Sequence, residues 1–93
     1  MDDKNKFFST IAQFPRIAAV FDQQKQNYDP IALDKYMCTC SKGERILMEF
    51  FLAVWIHHSD HPRYPFDFTD AAAHLDREAL DIIINWLVEP FWP

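Results

Sequence analysis

Between Ile46 and Ile56 the chain reads ILMEFFLAVWI, eleven residues in which Glu49 is the one polar side chain. That run is too short to cross a bilayer. A segment apolar nearly all round is therefore predicted to be the buried central helix of a small domain. Ser41 stands three residues before Glu44, the capping-box spacing in which two side chains satisfy each other's unpaired amides. The helix is predicted over 42–58. Arg45, Glu49, Ala53 and His57 follow i, i+4 spacing along it and are expected to form a narrow edge reaching water.

The flanking pattern is also helical. Phe7, Phe8 and Ile11 share one side of a first short helix over 5–13, and Pro15 opens a second that runs to about Gln23 and buries Ile17, Val20 and Phe21, a continuous helix kinked at Pro15 being the alternative. Residues 23–28, QQKQNY, read as a polar connection. Asp29-Pro30 is a cap followed by a first-turn proline, and Leu33, Tyr36, Met37 and Cys40 form the inward stripe of the helix it starts. Two prolines make 59–65 a loop, after which Asp67 or Thr69 caps a short helix through Leu75. Asp76 caps the last helix, to about Val88, with Leu80, Ile83, Ile84 and Leu87 as its inward stripe, widened by Ile82 and Trp86, and Glu78, Asp81, Asn85 and Glu89 opposite. Pro90 ends it, leaving Phe91-Trp92-Pro93 to be pinned on the core or kept for a partner.

Composition supports this architecture. Ninety-three residues make room for one core, and nine Phe with three Trp supply much buried area from few residues. A single glycine argues against a fold built from many tight hairpins. The expectation is an all-α, compact single domain of about five helices covering 1–93, arranged around the helix at 42–58.

Charge narrows the choice of partner. Residues 1–28 balance at +1, whereas 60–93 hold Asp60, Asp67, Asp70, Asp76, Glu78, Asp81 and Glu89 against Arg63 and Arg77, a net −5. Such a surface repels phosphate backbones and anionic lipids and favours basic partners, or serves plain solubility. Cys38 and Cys40 are one residue apart, too close for an unstrained disulfide, and are read as free thiols in a reducing compartment. The first residues, MDDKNKFF, lack the pattern of a signal peptide, and no lipidation motif is present; the expected location is the cytoplasm.

Three chemistries compete with plainer readings of the same residues. Residues 69–88 have the length and two-helix layout of a helix-turn-helix unit. The groove-facing side of its second helix would start with Glu78, Ala79 and Leu80 and continue with Ile83 and Ile84, however, where DNA readers place Arg, Lys, Asn or Gln. Cys38, Cys40, His57, His58 and His61 form a set of candidate metal ligands, but their spacing suits no structural zinc site, and buried thiols and helix-end imidazoles account for them. Cys40 with a histidine, or Asp60 with His61, pairs a nucleophile or acid with a base, but no phosphate loop, nucleophile elbow or HExxH accompanies them.

What remains is a small, acidic, non-catalytic protein acting through protein–protein contacts, with no cofactor, no metal and no membrane role. Its expected partner is another protein, basic in character, or a second copy. The surface expected to carry the contact combines the aromatic residues outside the helices with the acidic last third: Tyr64, Phe66, Phe68, Asp70, Glu78, Asp81, Glu89, Phe91 and Trp92. Alternatively these rings simply close the core. The second functional reading, nucleic-acid binding through 69–88, would need Lys4, Lys6, Arg16 and Lys25 of the basic first third as its electropositive surface.

Overall fold

In the computed structural model, which describes residues 2–25 and 27–93, each helix start obeys a local rule. Asp2 caps α1 (Asp3–Ile11), its carboxylate accepting the Asn5 N–H at 2.8 Å. Pro15 opens α2 (Pro15–Ala18) at a position where its missing N–H costs nothing. Asp29 accepts the Ile31 and Ala32 N–H groups at the head of α3 (Pro30–Thr39). Ser41 and Glu44 close the expected capping box on α4 (Lys42–Ile56), at 3.2 and 2.9 Å. Asp67 and Asp76 cap α5 (Phe68–His74) and α6 (Arg77–Val88).

Among the described residues six helices build the core, in a body whose 12.3 Å radius of gyration is that of a compact chain of this length. α4 is its axis. Ile46, Met48, Phe51 and Leu52 are essentially inaccessible, and Phe7, Ile11, Ile17, Leu33 and Ile83 close on them from α1, α2, α3 and α6. Phe7 stands at the centre of an aromatic cluster, 5.1 Å from the rings of Phe21 and Trp55 and 6.0 Å from Phe51.

Four sequence expectations are corrected. The second helix stops at Ala18 instead of about Gln23, and a two-residue antiparallel ribbon, β1 (Phe21–Asp22) with β2 (Asn27–Tyr28), takes its place in register Phe21↔Tyr28. The cause is Asp22, whose carboxylate accepts the Gln24 and Lys25 N–H groups and bends the chain. α4 ends at Ile56 instead of His58, because His57 takes the left-handed conformation (φ 68°) that terminates helices.

The third correction concerns the line Arg45, Glu49, Ala53, His57, which reaches water at its two ends, where His57 is exposed and the Arg45 side chain is partly so, but not at Glu49. Glu49 is buried, and Arg45, bonded to it at 3.3 Å, also stacks against the Tyr64 ring of the loop 57–67. Burial raises the Glu49 pKa, and Arg45 opposes the shift.

The fourth is the rotation of α6. Ile83 faces the core at 3% exposure, flanked by the part-buried Ala79, Ile82 and Trp86, while Ile84 is 47% exposed and Leu87 and Val88 are more open still. The helix is apolar over more than half its circumference, and the core takes only the 79, 82, 83, 86 face.

Candidate protein-binding surface

Loop 57–67 is fastened at both ends. Phe66 N–H donates to the Ser59 carbonyl at 2.9 Å, closing the loop at its neck. At the other end Asp34 of α3 receives the Tyr64 hydroxyl at 2.6 Å and the Arg63 guanidinium at 2.9 Å. These two donors hold the Asp34 carboxyl below its ordinary range, and the bond to Asp34 pushes the Tyr64 phenol up. Inside the loop the His61 ring accepts the Arg63 and Tyr64 N–H groups at Nδ1, both at 3.1 Å, and stacks on Tyr64. A ring accepting at Nδ1 is neutral there, and burial, with Arg63 and His58 nearby, keeps the His61 pKa below its ordinary value.

The tail 90–93 is fastened as well. Trp86 of α6 donates its indole N–H to the Phe91 carbonyl, Trp92 N–H donates to the Asp3 carboxylate, and the His57 ring meets the Pro93 carbonyl, each at 2.9 Å. Phe91 is thereby drawn against the core, yet the Trp92 ring stays 46% exposed.

Between the loop and the tail lies an arc of five rings in edge-on or T-shaped contact. Phe68 meets Phe66 at 4.9 Å, Phe66 meets Phe50 at 5.5 Å, Phe50 meets Trp86 at 5.7 Å, and Trp86 meets Trp92 at 5.0 Å. The arc bounds a cleft of about 170 Å³, completed by Ala53 and Val54 of α4 with His58 and Ser59. Its end rings face solvent, Phe68 at 55% and Trp92 at 46%. The cleft is almost entirely apolar, and no Lys or Arg lines it.

Of the residues expected at a contact surface, Phe68, Trp92, Asp70, Glu78 and Glu89 are exposed, Asp81 is half-buried and salt-bridged to Arg77, and Phe91 is pinned to the core. Tyr64 is corrected: its ring is turned inward and 8% exposed; Phe66 is equally buried but still lines the cleft. Sequence reasoning missed Ile84, Leu87 and Val88 as surface residues. Their signal was the width of the α6 apolar arc, one face more than a small core can use. It also missed the contribution of Ala53, Val54 and Trp86 to the cleft.

The two-helix unit at 69–88 is present, but its second helix turns Glu78, Ile84, Leu87 and Val88 outward, and its one cation, Arg77, is tied to Asp81 at 3.0 Å. Among the described residues no three His, Cys, Asp or Glu side chains converge as a metal site, and no helix is long and apolar enough to cross a membrane. Compared with known proteins, the chain matches no family model, no curated protein and no solved structure.

Proposed function

We propose that this protein is a non-catalytic binding module that acts through protein–protein contacts made by its acidic last third, in the cytoplasm. The observation that carries this is the concentration of open apolar side chains in one stretch of sequence. Phe68, Ile84, Leu87, Val88 and Trp92 are large, exposed and interleaved with Asp70, Glu78 and Glu89, while Ile31 is the other exposed large apolar residue among those described. Exposed apolar area rimmed by charge is the usual mark of an interaction surface. The cytoplasmic location follows the free thiols Cys38 and Cys40, the first of them exposed.

The test is capture from nuclease-treated lysate in high salt, comparing the natural chain with a variant carrying Phe68→Ser, Leu87→Ser and Val88→Ser. A stoichiometric protein retained by the first and lost by the second supports the proposal, provided circular dichroism shows both folded. Recovery that depends on nucleic acid, or that is identical for the two chains, overturns it.

A further inference from the structure

We infer that the cleft between Phe68 and Trp92 receives one aliphatic or aromatic side chain from a basic segment of a partner protein, with Lys or Arg residues flanking that anchor. The inference rests on the binding-module reading above and names the chemistry of its partner.

Size selects the anchor. Small-molecule sites run to several hundred Å³ and carry convergent polar groups. The cleft holds about 170 Å³ and has almost no polar lining. An apolar cavity of about 150 Å³ accommodates benzene, so this one suits a single side chain. Its shape is set before binding. The loop wall is held by the Phe66–Ser59 and Tyr64–Asp34 bonds, and the tail wall by the Trp92–Asp3 and Trp86–Phe91 bonds. A preorganised aromatic cleft of this kind is where binding energy concentrates.

Charge selects what surrounds the anchor. The segments that build the cleft carry Asp60 beside Ser59, Asp67 beside Phe68, and Glu89 just before the tail, and Asp3 anchors Trp92. Asp60 and Glu89 have no ion pair among the described residues. A second copy would bring the same net −5 third against itself, which like-charge repulsion disfavours. A cationic segment meets complementary potential instead.

The test pans a displayed library of random dodecapeptides over the intact protein and measures the enriched peptides by titration, following the Trp indole signals by NMR. The expected winners carry one large apolar residue flanked by Lys or Arg. Replacing that residue by Ala, or plugging the cleft with Ala53→Leu, should weaken binding by about tenfold or more. Raising salt from about 50 to about 500 mM should weaken it further, without abolishing it. Thermal melting checks that A53L is folded; Phe68→Ser, which removes one exposed wall, serves as the second variant.

Enriched peptides without basic residues would overturn the assigned chemistry. Basic peptides indifferent to both A53L and F68S would overturn the assignment to this cleft while leaving the binding-module reading intact. With no peptide enriched, the inference falls; sedimentation then shows whether a second copy occupies the surface, and a failed capture experiment would remove the parent reading as well.

Discussion

α4 and α6 are the two most apolar helices of the chain, and the fold treats them oppositely. α4 is enclosed by other elements, and even Glu49, the acidic side chain in its middle, is buried against Arg45. α6 offers the core a single face and leaves Ile84, Leu87 and Val88 to solvent. The difference is one of position: α4 is the axis, whereas α6 is an outer stave with neighbours on one side. Apolar residues on an outer stave beyond what the core consumes are a property of the surface, not of the core.

The largest effects expected from breaking this comparison lie in α4. Leu52→Ala, at a position with no solvent exposure, should cost about 2–5 kcal/mol in urea unfolding, since it removes buried methyl groups and leaves a cavity. The sharpest contrast lies within α6 itself. Ile83→Ala should cost in the same range, and its neighbour Ile84→Ala less than about 1 kcal/mol. Equal losses at the two positions would show that the 84, 87, 88 face is packed in solution.

Removing the α4 capping box by Ser41→Ala should cost about 1 kcal/mol, seen as a shifted unfolding midpoint with unchanged denaturant slope. Smaller again is a pH effect at the loop 57–67. The His61 pKa is depressed in the folded state, so the unfolded chain takes the proton more readily. The stabilisation is complete above the ordinary histidine value of about 6.5 and is lost as pH falls through it toward the lower folded value. The protection factors of the Arg63 and Tyr64 amides, exchange rates divided out by their intrinsic pH dependence, should fall over that window as pH is lowered and stay constant in His61→Phe. The smallest stability effect belongs to the open face: Val88→Ser should stay within about 0.5 kcal/mol of the natural chain, with its consequence appearing in partner capture.

Much of the fold was legible because it is written in short-range chemistry. The caps at Asp29, Ser41 and Asp76, the proline at Pro30 and the apolar run of α4 each act within a few residues. The ribbon at 21–28 was not legible, because QQKQNY has no strand pattern and its geometry hangs on one carboxylate at Asp22. The site was half legible. Phe68 and Trp92 were singled out as aromatics outside the regular helix interiors, but nothing local distinguished them from Tyr64 and Phe66, which the same loop turns inward.

By itself, then, the sequence determined the helices, their starts, the identity of the central one and the acidic character of the last third, because caps, periodicity and charge depend on near neighbours. The tertiary structure alone decided which face of α6 meets the core, that Glu49 is buried, and that rings from α4, α5, α6 and the tail assemble into one open cleft. Those outcomes depend on contacts between residues far apart in the chain, such as Tyr64 with Asp34 and Trp92 with Asp3. An apolar stripe records only that something must cover it; which neighbour does so is settled by how the helices pack.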